Sequence, residues 1–171
     1  MSIRDFQADF TNNASNSYLD ITGTAGTYIA ANSIDTSPLG AYLTELTAAD
    51  TTLSANTNSF RDLGGGEPLW LVVDWIVAAA GGTNADCQLI TSASSTLSSP
   101  ATIYDFGAVV TATLVKGYRQ IAKLPRSASY LQWLGFQIVT TGTYTNGHVI
   151  AWLAKDIDSI TQGYASGFSI K

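Results

Sequence analysis

A chain of 171 residues with 46% hydrophobic content is long enough for one domain and too apolar to stay disordered. Only 12% of the residues are charged, and the formal net charge of −5 argues against a dedicated nucleic-acid binder. Cys87 is the only cysteine, which leaves no intramolecular disulfide and no thiolate metal cluster.

The opening segment, MSIRDFQADF, lacks the apolar core of a signal peptide, so the protein is expected to be made in a cytoplasm without export. Residues 1–17 read as an N-terminal arm in which Phe6 and Phe10 are apolar anchors in a polar setting. Two readings stand for this pair: they lie on a neighbouring subunit, or they cover the domain's own core. Tyr18 to Ile21 is expected to be a short strand, residues 22–27 a turn, and Tyr28 to Ala31 a second short strand. Residues 32–58 contain no basic group. Ser37 to Gly40 marks a turn by its proline and glycine, and Ala41 to Ala49 could form one or two helical turns. A loop of this length inside a compact domain is expected to be functional or to cover a neighbour.

Arg61 to Ala80, RDLGGGEPLWLVVDWIVAAA, is the stretch around which the chain is organised. Gly64, Gly65 and Gly66 mark a sharp turn, and Pro68 suits the start of a strand, where no ladder donor is needed. Alternation then places Leu69, Leu71, Val73, Trp75 and Val77 on one face and Trp70, Val72, Asp74, Ile76 and Ala78 on the other. Both faces are mostly apolar, which predicts a central strand covered on two sides. A buried helix of about three turns is the alternative, and the β-branched and aromatic content favours the strand. The run is too short to cross a bilayer, and Asp74 interrupts it.

Beyond Gly81-Gly82 the pattern stays β. Cys87 to Ser92 is expected to be a strand, with Cys87 a small buried apolar residue, and residues 93–100 belong to a polar loop. Ile103 to Phe106 and Val109 to Val115 read as two strands split by Gly107. Gly117 to Leu124 is another, ended by Pro125. Tyr130 to Thr140 follows, with Leu131, Trp133 and Val139 on one side and Leu134, Phe136 and Ile138 on the other. Asn146-Gly147 predicts a type I′ hairpin turn, and Val149 to Ala154 its returning strand. Residues 156–171 read as a C-terminal tail dotted with Tyr164 and Phe168. Eight or more short strands with frequent turns predict an all-β sandwich or barrel spanning residues 18–155.

The residues offer little chemistry. His148, the only histidine, follows a hairpin signal, where a polar residue is ordinary. Glu45 and Glu67 are the only glutamates, and no nucleophile elbow, phosphate loop or metal-ligand spacing occurs. No catalytic residue, cofactor or metal is therefore expected. Half of the eight basic residues, Lys116, Arg119, Lys123 and Arg126, fall in one segment, where alternation puts Arg119 and Lys123 on one face. This segment either meets an acidic partner surface or is a solvated hairpin.

Three blocks carry a family resemblance. Arg61-Asp62-Leu63-Gly64, with Gly66-Glu67-Pro68-Leu69, resembles the segment that leads into the first long strand of the jelly-roll capsid cement (decoration) proteins of tailed bacteriophages. Leu114 to Arg119 with Leu124-Pro125-Arg126, and the tail Tyr164 to Phe168, are similar to two further motifs of that family, in the same order. QADFTNNASNS is similar to its opening more loosely, and residues 30–58 stand out as a divergent loop or insertion. The resemblance implies a jelly-roll-type antiparallel β-sandwich with extended arms. It also implies a non-enzymatic protein on the outer surface of an icosahedral shell, bridging neighbouring major capsid proteins. A homo-oligomer, dimer or trimer, is expected from the low charge content, with no nucleic-acid or membrane partner. The expected shell contacts are Lys116, Arg119, Lys123 and Arg126, with Phe6, Phe10 and Phe168 on the arms. The alternative is a carbohydrate- or receptor-binding sandwich, which would need exposed tyrosines and tryptophans forming a platform.

Overall fold

The computed structural model describes residues 9–11, 17–36, 69–125 and 130–155. Its centre is β4 (Trp70–Gly81), where the two-sided alternation has its expected effect. Leu71, Val73 and Trp75 are essentially fully buried in the core, while Trp70, Val72, Asp74 and Ile76 point the other way. β4 pairs antiparallel with β7 (Arg119–Lys123) on one edge and with β9 (Tyr144–Ala154) on the other. The segment is a central strand and not a helix, because both edges of its backbone are satisfied by neighbours far away in sequence.

The remaining strands complete two sheets. β1 (Leu19–Asp20) joins β9, which gives a four-stranded first sheet in the order β1-β9-β4-β7. β2 (Gly26–Ile29), β8 (Trp133–Thr141), β5 (Asn84–Ser92) and β6 (Ala101–Val110) form the second sheet in that order, and β3 (Ile34–Asp35) also pairs with β8. The chain changes sheets at every connection except β2–β3 and β5–β6, and all pairings are antiparallel. This is the double Greek-key order of a jelly roll. β1 and β2 touch at one flank of the sandwich, and β6 and β7 are the free ends of their sheets at the other.

Leu89, Leu134, Phe136 and Ile138 from the second sheet meet Leu71, Val73, Trp75, Val149 and Ala151 from the first. Burying each large aliphatic or aromatic side chain contributes roughly 1.5–3 kcal/mol before conformational entropy is set against it. Leu134, Phe136 and Ile138 do share the inward face, and Cys87 is buried beside them.

Four expectations are corrected. Asn146-Gly147 is not a hairpin turn but lies inside β9; the chain turns at Gly142-Thr143 and crosses between sheets. Gly147 is required there for another reason: at φ +151° a Cβ would approach two carbons of the fully buried Ile21 at 2.9 Å. Val109 to Val115 is not a separate strand. β6 runs through Gly107 with a bulge, where Phe106 and Gly107 oppose Cys87, and residues 111–113 then form a 3-10 turn. β3 was hidden in the segment read as loop.

The opening is only partly an arm, because residues 9–11 belong to the body. Asp9 bridges to Trp152, the Phe10 N–H donates to the Ala151 carbonyl (2.9 Å), and the Phe10 ring lies 6.5 Å from Phe136. Phe10 is fully buried. Of the two readings for this residue, the domain's own core is the one found, so Phe10 is not available as a surface contact. Phe6, the helical turns expected at 41–49, the RDLGGGEP turn, Arg126 and the 156–171 tail with Phe168 lie outside the described residues.

Candidate interaction surfaces

The basic segment is built on the free edge of the first sheet. Lys116 sits exposed in the turn before β7, and Arg119 and Lys123 alternate outward along it. Register places Arg119 opposite Asp74 and Lys123 opposite Trp70, so both do share the outer face. Arg119 is already engaged: its guanidinium donates to Asp74 Oδ2 at 2.5 Å, across 45 positions of sequence. Asp74 is thus held by an ion pair, as suits a carboxylate in an apolar strand, while its Oδ1 is buried without a hydrogen-bond partner. Lys116 and Lys123 are exposed beside this pair.

Around this pair the outer face of the first sheet is apolar. Val72 and Trp152 are buried although they point away from the sandwich core, and Trp70, Ile76, Ile121 and Ile150 are half-buried. At the far side of the sheet the His148 ring stacks on Tyr18, with centroids 4.1 Å apart, and its Nε2 lies 3.8 Å from Asp20. Burial acts to raise the Asp20 pKa, but hydrogen bonds from Thr22 and the proximity of His148 outweigh it and hold the carboxyl below its usual value.

The strands of the second sheet carry charge of one sign only, whereas those of the first mix Asp20 and Asp74 with Arg119 and Lys123. In its strands the second sheet carries Asp35, Asp86 and Asp105 and neither lysine nor arginine. On its outer face a side-chain ladder runs across three strands. Gln137 Nε2 donates to Gln88 Oε1 (2.8 Å), and Gln88 Nε2 donates to Asp86 Oδ2 (2.8 Å) and Asp105 Oδ2 (3.3 Å). Two carboxyls therefore share one amide. Burial and the adjacent Asp105 push Asp86 up to about 6, with the Gln88 bond acting against them. Sequence reading missed this pair. Alternation puts Asp86 and Gln88 on one face, but Asp105 reaches them only through the bulge register of β6.

The tryptophans form no shared platform. Trp75 and Trp152 are buried, and the half-buried Trp70 and Trp133 lie in different sheets. That geometry does not favour the carbohydrate-binding alternative.

Fold and charge layout define a jelly-roll sandwich whose two free edges, β6 and β7, differ in chemistry, one acidic and one basic. The model of the Bbp16 family matches residues 40–153, and the chain belongs to this phage-related family. Among curated proteins none matches the chain.

Proposed function

We propose that this protein is a non-enzymatic capsid cement protein that binds the outer surface of an icosahedral phage head and bridges neighbouring major capsid proteins. The observation that carries the reading is membership of a phage-related family by a chain with jelly-roll strand order. The three sequence blocks that resemble cement proteins point the same way. The protein acts as a homo-oligomer, a dimer or trimer, and the virion is its site of action.

Within this reading the basic edge of the first sheet faces acidic loops of the shell. Lys116 and Lys123 make the contact, Arg119 organises the face through Asp74, and Arg126, Phe6 and Phe168 are further contacts. The test is co-sedimentation of the purified protein with phage heads stripped of it, across a salt series. Saturable binding that weakens as salt rises is expected, because exposed ion pairs are screened within about 10 Å at 0.1 M salt. Lys116→Ala with Lys123→Ala should reduce occupancy and flatten its salt dependence. Failure of the wild-type protein to sediment with heads would overturn the cement reading. Binding by the double variant with an unchanged salt slope would move the contact away from β7.

A further inference from the structure

Strand β6 is the free end of the second sheet. One edge pairs with β5 from Thr91↔Ala101 to Asn84↔Val110; the other has no partner strand among the described residues. Six of its ten residues are exposed: Ala101, Thr102, Asp105, Gly107, Ala108 and Val110. A Cβ built on Gly107 meets nothing within 4 Å, so no described side chain covers the face of the strand at its middle. Edge strands of soluble proteins are usually guarded against added strands by lysine, proline or bulges. β6 has neither lysine nor proline. Its irregularities, at Phe106-Gly107 and near Ile103, keep any added pairing short.

The charge of this edge is also unbalanced. Asp86 and Asp105 share the Gln88 amide, Asp86 Oδ1 is buried with no hydrogen-bond partner, and among the described residues the strands of this sheet carry no lysine or arginine to meet them. The groups facing the pair are Gln88, Gln137, Ala108 and Val139, all uncharged, and the Gly107 N–H, which donates to Asp105. Exposed Val110, with Val115 just beyond, adds apolar surface at one end of the strand.

We propose that the free edge of β6 and the Asp86–Asp105 pair beside it receive a short, extended, basic segment of a partner polypeptide. The segment adds as a strand and places an arginine or lysine on the two carboxylates. Main-chain hydrogen bonds supply the attachment, and the carboxylate pair selects the charge of the incoming strand. The inference goes beyond the cement reading, since it holds for any partner that offers such a strand. It also gives the molecule a second contact of opposite charge to β7, at the same flank.

The probe is a synthetic peptide of alternating threonine and valine with one central arginine, added to the full-length protein labelled with ¹⁵N. Controls are the same peptide with glutamate in place of arginine, and one interrupted by proline. The arginine peptide should slow amide exchange in β6 by about tenfold or more at saturation, since a bonded edge must open before it exchanges. It should bind about threefold tighter than the glutamate peptide at low salt, the gain of a partly exposed ion pair. The proline peptide should not bind. Asp105→Asn should remove the arginine preference, and Ala108→Lys should abolish it with the fold confirmed intact by circular dichroism. No slowing of β6 exchange at millimolar arginine peptide would overturn the proposal. Equal binding of the two charged peptides would do the same. Concentration-dependent protection of β6 without any peptide would assign the edge to a second copy of this chain instead.

Discussion

Asp86 shows how one carboxyl reports its surroundings. Its folded pKa of about 6 lies above the 3.8 of an unperturbed aspartate, so between those values the native state holds more protons than the unfolded chain. The stability this group contributes is full below about pH 4 and is lost as pH rises through 6. At neutral pH the charged pair opposes folding. Asp86→Asn should therefore stabilise the protein at pH 7.5 by about 1 kcal/mol, a figure reduced from the full shift for partial exposure, and change little at pH 4. Urea melts at the two pH values check this; equal effects at both would show that Asp86 and Asp105 do not interact as described. Asp74 presents the reverse situation, a half-buried carboxylate matched by Arg119. Arg119→Ala should cost about 1–2 kcal/mol because it strands that charge, and Asp74→Ala in the same chain should recover part of the loss. A double-mutant cycle in thermal denaturation measures the coupling, and additive losses would dismiss it.

At the scale of the element, β9 owes its shape to one glycine and to the segment that caps it. Gly147→Ala meets two penalties, an unfavourable φ of +151° and a Cβ 2.9 Å from Ile21. A loss of about 2 kcal/mol is expected, partly relieved by Ile21→Val, which removes one of the crowding carbons. Urea melts of the single and double variants measure both. Thr11 accepts from the Ala151 N–H (3.3 Å) and donates to Asp9 (2.9 Å), so residues 9–11 extend the first sheet along β9 beyond β1. Phe10→Ala should accordingly destabilise the whole domain by roughly 3–4 kcal/mol. A thermal midpoint within a degree of wild type would return Phe10 to the status of an arm anchor. Strand identity along β4, β5 and β8 was legible because alternation is local: Leu71, Val73 and Trp75 announce a buried face without knowing what covers it. β6 was harder, since its bulge at Phe106-Gly107 breaks the period of two and made one strand look like two.

For the whole molecule, the jelly-roll order sorts charge that the chain mixes. Among the described residues, the lysine and arginine located in strands lie on β7, and the charged residues in the strands of the second sheet are aspartates. Because β6 and β7 end their sheets at the same flank, that flank presents both signs side by side. A protein that bridges shell subunits through such a flank should bind in a salt-dependent manner and should self-associate through its uncharged surface. Light scattering at tens of micromolar should report a dimer or trimer. A monomer that stays monomeric on the shell would remove oligomerisation from the proposed mechanism.

The sequence by itself determined the β character, the central place of Leu69 to Val77, the buried Cys87 and the clustering of Lys116, Arg119 and Lys123. Each of these rests on composition or on a period of two, and such signals need no partner. Tertiary structure decided what those signals leave open. Asp74 finds Arg119 across 45 positions, Phe10 finds Phe136 from the other end of the chain, and Asp105 reaches Asp86 only because a bulge shifts the register. It also decided that Asn146-Gly147 continues a strand. A glycine tolerates both a tight turn and a crowded crossing, and only the packing of Ile21 against β9 chooses between them.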